Sequence, residues 1–376
     1  MENSLLYLFF TSVTAFVLSV AIIPQILKVV SSRNIFDTPG GRKIHKNSTP
    51  SMGGIGIFFS FIAVSMFLVK ETADFNSQYF YLSLILLFFT GLRDDLLPLN
   101  SKRKFGMQFL AAIFTCGFAN IRLNSMYSLA FLYEGPFQEW FSFFLTIVVL
   151  IILTNSFNLI DGIDGLASSI ACIVCGALCT WFTINGFWAF AILCGTMLGA
   201  IIGFMYYNWS PARIFMGDTG SLIVGFFCVS MLIVFMNLNQ EANVYQIENS
   251  GAFFFSILIY PIFDVLRVIA LRLKRKKSPF SPDKLHVHLI LKRVGFTHGQ
   301  ITCLIAFLSL VALGLFFTLE YYNIPELMII PIIYLYALSL SILLKKMVLK
   351  FKKEKKPVEL DFSQEELIAQ IKTYLW

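Results

Sequence analysis

Long apolar runs separated by short polar segments repeat along almost the whole chain. A helix needs about 20 apolar residues to cross the roughly 30 Å hydrocarbon core of a bilayer. The pattern therefore predicts an all-α, polytopic membrane protein, a bundle of about eleven transmembrane helices. The predicted spans lie near residues 5–30, 53–69, 79–92, 105–120, 140–157, 166–184, 187–207, 219–236, 251–272, 301–318 and 325–344.

The positions of Lys and Arg predict the orientation of this bundle. Cytoplasmic loops of membrane proteins carry an excess of Lys and Arg. With the N-terminus outside and the C-terminus in the cytoplasm, only Lys70 and Arg122 of the 29 Lys and Arg residues fall outside. We predict one transmembrane domain over residues 1–350 and a cytoplasmic tail over residues 351–376. The chain is 57% hydrophobic and 14% charged, which excludes an ordinary soluble protein and gives no indication of a nucleic-acid partner.

The most unusual polar segment joins the fifth and sixth predicted spans. It combines two amides, two carboxylates and two glycines with no Lys or Arg, namely Asn155, Asn158, Asp161, Asp164, Gly162 and Gly165. Charged groups at a membrane boundary are costly, which favours a functional role, although the same residue types form simple turns. In a partly helical segment Asp161 and Asp164 would share a face with Asn158, whose amide oxygen could then be a metal ligand.

Carboxylates and basic residues also occur in the two cytoplasmic loops that precede this segment. Asp94 and Asp95 repel each other unless a cation or a shared proton relieves them, and Mg²⁺ or Mn²⁺ would do so. The alternative is a helix end neutralised by Arg93 and residues 102–104. In the first loop, the basic and glycine-rich residues 40–46 suit phosphate oxygens, or else anchor the loop at the membrane.

The last two cytoplasmic loops add further candidates. Asp218 begins the eighth predicted span, where it could cap the helix or hold an ion, and Asn208 and Phe215 offer an amide and an aromatic face to a base. In the long basic loop, His286 and His288 would point to one side of an extended segment and could meet phosphate or relay a proton. A zinc site with His298, or two solvated imidazoles, are the alternatives. Asp264 and Arg267 lie where this loop leaves the membrane.

All five polar clusters fall on the predicted cytoplasmic side. Acids for a metal, cations for phosphates and an aromatic–amide pair for a base together indicate nucleotide-diphosphate chemistry, in which catalysis is mostly positioning and charge neutralisation. A cation- or proton-coupled transporter is the main alternative, but it should place acids at mid-span and use broken helices in matching halves. A membrane anchor with a basic surface would explain the Lys and Arg residues and not the Asp clusters.

Ordered, spaced motifs make the chain resemble the polyprenyl-phosphate N-acetylhexosamine-1-phosphate transferases. This family includes the WecA-like GlcNAc-1-phosphate transferases and the MurNAc-pentapeptide translocases. The motifs are Thr49-Pro50-Ser51-Met52-Gly53-Gly54, Asp94-Asp95, Asn155-x-x-Asn158-x-x-Asp161-Gly162-x-Asp164-Gly165, Phe215-Met216-Gly217-Asp218-x-Gly220 and the His286–His288 loop. The resemblance implies ten or eleven helices, often in a homodimer, with an active site on the cytoplasmic face of the bacterial inner membrane.

The resemblance also implies a reaction and a set of residue roles. UDP-N-acetylhexosamine would transfer its sugar phosphate to undecaprenyl phosphate, with Mg²⁺ (or Mn²⁺) held by Asp218 and Asn158. The catalytic candidates are Asp94, Asp95, Asp164, His286 and His288, and the substrate-binding candidates are Lys46, Asn155, Asp161, Asn208, Phe215 and Arg267. In this scheme Asp161 lies near the uracil, Phe215 stacks on it and Asn208 hydrogen-bonds it.

One position departs from the family pattern. GlcNAc-type members usually carry His-x-His-His in the last loop, and this chain has Leu289 after His288. The lead-in residues 281–284 still resemble the GlcNAc-type branch more than the peptide-carrying one. The expected sugar is therefore GlcNAc, with another UDP-HexNAc or UDP-MurNAc-pentapeptide as the alternatives.

Overall fold

The computed structural model describes residues 2–32, 49–68, 75–124, 138–278 and 285–354. These residues form α-helices and contain no β-strand, which confirms the all-α prediction. In chain order the helices are α1 (Glu2–Ser32), α2 (Gly53–Leu68), α3 (Ser77–Leu96), α4 (Ser101–Gly117), α5 (Gln138–Ile160), α6 (Leu166–Ile184), α7 (Trp188–Asn208), α8 (Gly217–Leu238), α9 (Ser250–Ile257), α10 (Ile259–Lys274), α11 (Val287–Val294), α12 (His298–Tyr321) and α13 (Glu326–Glu354).

The helices make the chain a polytopic membrane protein, with fewer certain spans than the apolar runs predict. Among the described residues, seven helices are long and apolar enough to cross a bilayer, or eight if α9 and α10 count as one. Every predicted run coincides with a helix or with that pair. Helix α2 is too short to count as a span, and α3, whose last turn contains Arg93, Asp94 and Asp95, is not among the seven. Eleven crossings and an outward N-terminus stay predictions.

Two details of the last third of the chain differ from the predicted pattern. The run over residues 251–272 is two helices bent by 76° rather than one straight span. Pro261 has no N–H to donate to the carbonyl of Ile257, so the α-helical ladder is interrupted where α9 ends. The basic loop contains α11, an amphipathic helix that is followed by Gly295 with φ 108°. The sequence pattern predicted neither the bend nor this helix.

Helix α8 occupies the centre of the bundle, and its first turn forms one wall of the polar site. Its residues are buried from Thr219 through Met236, as expected for a helix that is apolar all round. Two glycines let its neighbours approach: a Cβ on Gly54 would lie 2.1 Å from the backbone N of Gly220, and one on Gly91 would lie 2.4 Å from the Cα of Thr219. Helices α2 and α3 therefore pack directly on the start of α8.

Helices α1 and α7 pack through a second set of glycines. Gly195, Gly199 and Gly203 repeat every four residues on one face of α7. A Cβ at Gly199 would lie 2.1 Å from the carbonyl oxygen of Ser12 in α1. Small residues at this spacing allow membrane helices to approach at backbone distance.

We expect Gly199→Ala to destabilise the protein in detergent, because the added methyl group would overlap the Ser12 carbonyl. Overpacking of this kind costs about 1–3 kcal/mol, more than the gain in helix propensity from Gly to Ala. Gly314→Ala in α12 is the matched control, since a Cβ there meets nothing within 4 Å. Thermal unfolding followed by circular dichroism should show a lower Tm for Gly199→Ala only, and equal Tm values would contradict the close α1–α7 packing.

Candidate active site

Asp95, at the end of α3, caps the N-terminus of α8. Its carboxylate accepts hydrogen bonds from the backbone N of Asp218 (2.8 Å), the backbone N of Thr219 (3.0 Å) and the Thr219 hydroxyl (2.6 Å). Burial and the charge of Asp218 raise the pKa of Asp95 to about 7, although its hydrogen bonds to Thr219 oppose the rise. The first N–H groups of α8, an anion site in many proteins, are therefore occupied by a carboxylate of the chain itself.

Lys104, in the first turn of α4, bridges two of the carboxylates. Its Nζ lies 3.0 Å from Asp94 Oδ2 and 2.6 Å from Asp218 Oδ2. Burial would lower the pKa of Lys104, but the adjacent Asp218 and Asp94 raise it overall. For Asp94, burial would raise the pKa, but its interaction with Asp218 and the hydrogen bonds from the Leu99 N–H (2.5 Å) and Lys104 lower it overall. One ammonium thus balances two acids from helices far apart in the sequence.

Asp218 does not cap its own helix. That alternative is wrong, since the cap comes from Asp95, and the Asp218 carboxylate faces Lys104 and the amide Nδ2 of Asn158 instead. Asn158 Nδ2 also donates to the Ser221 hydroxyl at 2.8 Å. The structure therefore brings the two predicted metal ligands together, with Asn158 acting as a hydrogen-bond donor; metal binding by either residue stays a prediction.

The segment between α5 and α6 is a turn rather than a helix, so the predicted shared helical face of Asp161 and Asp164 is wrong. Gly165, with φ 74°, begins α6 in a left-handed conformation that interrupts the α-helix. Asp161 lies toward the carboxylates. Burial and then the charges of Asp218 and Asp95 raise its pKa well above the usual value, and a hydrogen bond from the N–H of Gly217 only partly opposes this rise.

Asp164 points away from that acidic group and is buried. Its Oδ1 lies 2.7 Å from Nδ1 of His298 at the start of α12, and its Oδ2 accepts from the backbone N of Ala212 at 3.2 Å. The hydroxyl of Thr302 donates to its carbonyl oxygen at 2.7 Å. These contacts tie the turn to α12 and to the loop before α8.

Asn208 and Asn155 use their side-chain amides inside the fold. Asn208 accepts from the backbone N of Gly165 (2.9 Å) and donates to the Ile214 carbonyl (2.8 Å). Asn155 exchanges hydrogen bonds with Gln108 of α4 at 3.2 and 2.7 Å. Both residues thus have positioning contacts in this structure, and their direct contact with substrate stays a prediction.

Phe215 lies in a segment that pairs with the first motif of the chain. Its N–H donates to the Pro50 carbonyl at 2.8 Å, and its carbonyl accepts from the N–H of Gly53 at 2.9 Å. Gly217 follows with φ 72°, and a Cβ there would lie 2.3 Å from the Ser51 carbonyl oxygen. The Thr49–Gly54 and Phe215–Gly220 motifs, distant in sequence, therefore form one wall beside Asp218. Lys46, a predicted substrate-binding residue of the first loop, lies outside the described residues.

Asp264 in α10 organises the histidine loop. Its Oδ2 accepts from Nδ1 of His286 at 2.7 Å, and its Oδ1 accepts from Arg267 Nη2 at 2.9 Å and from the backbone N of Val287 at 3.0 Å. Arg267 Nη2 also donates to the Leu285 carbonyl. The carboxylate thereby holds the start of α11 and orients His286.

His288 lies next to His286 and faces the acidic turn. The two rings are 5.6 Å apart and inclined by 22°. Nδ1 of His288 lies 2.9 Å from the hydroxyl of Tyr260, and a Cβ at Gly162 would lie 3.8 Å from its Nε2. Burial lowers the pKa of His288 to about 3, with the charge of Arg267 acting in the same direction and that of Asp264 opposing it. The imidazole is therefore neutral at pH 7.

The described candidates thus lie around one turn, in an acidic group and a histidine group. The acidic group consists of Asp94, Asp95, Asp161, Asp218, Asn158 and Lys104, and the histidine group of Tyr260, Asp264, Arg267, His286 and His288. Four residues with central contacts are not among the predicted site residues, namely Lys104, Tyr260, Asp264 and His298. In the sequence, Lys104 was named only in the basic group that neutralises a helix end, Asp264 only by its position, and His298 only in the zinc alternative. An acid three residues before Arg267 at a membrane boundary could have indicated Asp264, whereas no sequence pattern indicates Tyr260.

The acidic group has the chemistry to take part in holding a divalent cation. No three His, Cys, Asp or Glu side chains of the described chain are arranged as a complete metal site. Mg²⁺, however, is commonly bound by one or two carboxylates together with substrate phosphates and waters. Asp94 and Asp218 already converge on one positive charge, which fits a magnesium ion that binds together with a diphosphate.

The fold and site define a class: a polytopic helical membrane protein with a carboxylate- and imidazole-lined site suited to phosphate chemistry. Comparison with known proteins gives a family. The model of glycosyl transferase family 4 matches residues 77–236. A probable undecaprenyl-phosphate N-acetylglucosaminyl 1-phosphate transferase of Bacillus subtilis is 31% identical over 292 residues, which cover 76% of this chain and 78% of the relative.

Two relatives share a similar description, both being undecaprenyl-phosphate alpha-N-acetylglucosaminyl 1-phosphate transferases. The protein of Escherichia coli O157:H7 is 29% identical over 80% of each chain, and that of Yersinia pestis is 27% identical over 94% of this chain and 95% of its own. The chain belongs to the undecaprenyl-phosphate N-acetylglucosaminyl 1-phosphate transferases of glycosyl transferase family 4. Membership in this family also argues against the transporter alternative.

We expect Lys104→Met to lower the stability of the protein, because Asp94 and Asp218 would then repel each other with no cation between them. The side chains of Lys104 and Asp218 are 14% and 29% exposed, so we discount the cost of breaking a buried pair to about 1–3 kcal/mol. Added Mg²⁺ should restore part of the lost Tm. Lys102→Met, at an exposed position of the same turn, is the control, and unchanged Tm in Lys104→Met would show that the bridge gives no net stabilisation.

Proposed function

We propose that this protein transfers GlcNAc-1-phosphate from UDP-GlcNAc to undecaprenyl phosphate and releases UMP. The observation that carries the proposal is the convergence of Asp94, Asp218 and Lys104 on one point. The turn that carries Asp161 joins this group to His288, whose Nε2 faces Gly162. The names of the relatives support the sugar and the lipid. The product would be the lipid-linked first sugar of a cell-surface polysaccharide.

The reaction is a displacement at phosphorus. An oxygen of undecaprenyl phosphate attacks the phosphorus that carries the sugar, and the bond from that phosphorus to the UMP oxygen breaks. Such transfers depend on positioning and on neutralising the charge of the phosphate oxygens. A bound Mg²⁺ would supply charge neutralisation on the diphosphate, with Asp218 and Asp94 as the residues best placed to hold it.

The chain's own residues divide the remaining work. Undecaprenyl phosphate is already ionised at pH 7, so Asp94, engaged by Lys104 and the Leu99 N–H, is better suited to positioning than to accepting a proton. His286 and His288 face the diphosphate. Phe215 and Asp161 contact the nucleotide, and Asn208 and Asn155 hold the segments that carry these residues.

The site lies on the cytoplasmic face of the bacterial inner membrane in this proposal. The proposal rests on the Lys and Arg distribution, which favours the cytoplasmic side for the polar loops. The segments that carry Asp94, Asp161, Asp218 and His286 meet at one end of the bundle, as expected if they emerge on the same side. Eleven crossings, an outward N-terminus and a homodimer remain part of the proposal.

The test is transfer of radiolabelled sugar phosphate from UDP-GlcNAc to undecaprenyl phosphate by the purified protein in detergent. We expect an organic-soluble labelled product and stoichiometric UMP, both lost with EDTA and restored by Mg²⁺. UDP-GalNAc and UDP-MurNAc-pentapeptide serve as competing donors. No lipid-linked product from any UDP-HexNAc would overturn the proposal.

Asp218→Asn should abolish turnover while the protein still folds. The substitution keeps the shape of the side chain but removes the charge that faces Lys104, and loss of one charge-stabilising group costs about 10²–10³ in rate. Glu241→Gln, at an exposed position in the short 3-10 turn that follows the far end of α8, should leave the rate unchanged. Near-wild-type activity of Asp218→Asn, at an unchanged gel-filtration profile, would remove Asp218 from the reaction.

His286→Ala should lower the rate more than Leu289→Ala. His286 is buried and oriented by Asp264, whereas Leu289 is a partly buried residue of α11 at the position where related chains carry a third histidine. We expect a loss of about 10²-fold or more for His286→Ala and a small change for Leu289→Ala, measured as initial rates of lipid-linked product. The reverse order would contradict the placement of His286 at the diphosphate.

A further inference from the structure

Tyr260 connects the bent helix pair to the imidazole of His288. It is the second residue of α10, directly after the break that follows α9. Its hydroxyl oxygen lies 2.9 Å from Nδ1 of His288. Its ring also lines an apolar cavity of about 50 Å³, together with Phe263, Val287 and Ile305.

The surroundings of the hydroxyl decide which atom carries the proton. Within the described part of the chain its partners are Nδ1 of His288 and the backbone N–H of His288. Because the N–H can only donate, Nδ1 is the one described acceptor for the hydroxyl proton. If the hydroxyl accepted a hydrogen bond from a protonated Nδ1, its own proton would have no described acceptor beside the apolar cavity, which is unfavourable in such surroundings. The O–H of Tyr260 therefore donates to Nδ1. A neutral imidazole with an unprotonated Nδ1 carries its proton on Nε2.

The Nε2 atom of His288 is buried and has no hydrogen-bond partner among the described residues. It faces Gly162, in the turn that carries Asp161, where the absence of a side chain leaves room. A buried N–H donor without an acceptor is rare in proteins and suits an anionic oxygen of a ligand. His286 differs in this respect, since its Nδ1–H donates to Asp264.

We propose that Tyr260 is a positioning residue that fixes His288 in its Nε2–H tautomer, so that His288 donates a hydrogen bond to a diphosphate oxygen of the substrate. His288 then stabilises charge and does not act as a base. The inference rests on the proposed function for the identity of the acceptor, whereas the tautomer itself is a property of the protein alone.

The direct test is ¹⁵N solid-state NMR of the full-length protein labelled at histidine. The chain has four His, and the His288→Gln spectrum identifies the His288 signals by their loss. We expect a protonated Nε2 and an unprotonated Nδ1 in the wild type, and a shift toward protonated Nδ1 in Tyr260→Phe. Tyr336→Phe is the matched control, because Tyr336 lines the same cavity and donates only to the Leu308 carbonyl. A wild-type Nδ1–H tautomer, or no change in Tyr260→Phe, would overturn the assignment.

The kinetic test separates positioning from a structural role. Tyr260→Phe should lower kcat about 10- to 100-fold, as loss of an orienting partner does at metal-bound histidines, with little change in KM for UDP-GlcNAc. A Gln side chain at position 288 has an amide N–H donor that does not depend on a tautomer. In the His288→Gln background, Tyr260→Phe should therefore have little further effect. Equal losses in both backgrounds would refute the positioning role. If the wild type transfers no sugar phosphate, the proposed function fails, and the NMR result still decides the tautomer.

Discussion

The contact on which the site depends most is the cap that Asp95 places on α8. A carboxylate at a helix N-terminus is favoured by the helix dipole and by hydrogen bonds to the first N–H groups. Here the carboxylate comes from α3, 123 residues away from Asp218. Because the cap is supplied from outside the helix, the side chain of Asp218 is free to turn toward Lys104 and Asn158. The polar centre of the protein therefore follows from one interhelical contact that fixes both the position of α8 and the direction of its acid.

That contact is possible only because backbone approaches backbone at the same place. Gly91 lies one turn before Asp95, and a side chain there would overlap Thr219 of α8. Gly217 has a positive φ and lies against the Ser51 carbonyl oxygen and the Asp95 carboxylate. In a bilayer the hydrophobic effect drives helix association only weakly, so close packing through small residues has to hold the helices together. The glycines of the motifs thus serve the packing first, and the chemistry depends on that packing.

The helices were predictable from the sequence because each apolar run is long and bounded by polar residues. The convergence of the polar clusters also followed, since the Lys and Arg distribution placed them on one side. The pairings did not follow, because Asp164 and His298 are 134 residues apart and Lys104 and Asp218 are 114 apart, with many alternative partners between them. Residue type did not predict the contacts that Asn155 and Asn208 make inside the fold, where their amides pair with Gln108 and with the backbone of the turn. The bend before Pro261 was hidden by an apolar run that reads as one span.

If the site accepts a nucleotide diphosphate as proposed, its charge balance favours the entry of a further cation. Lys104 already balances Asp94 and Asp218, so its charge is not available in full to a third anion. Burial and neighbouring carboxylates raise the pKa of Asp161, as expected where several acids lie close together. A diphosphate would add negative charge at the same place, where low polarity strengthens every repulsion. Arg267, whose Nη2 is paired with Asp264, and neutral donors such as His288 can offset part of it. The balance therefore favours a divalent cation that enters together with the substrate over one bound permanently by the chain.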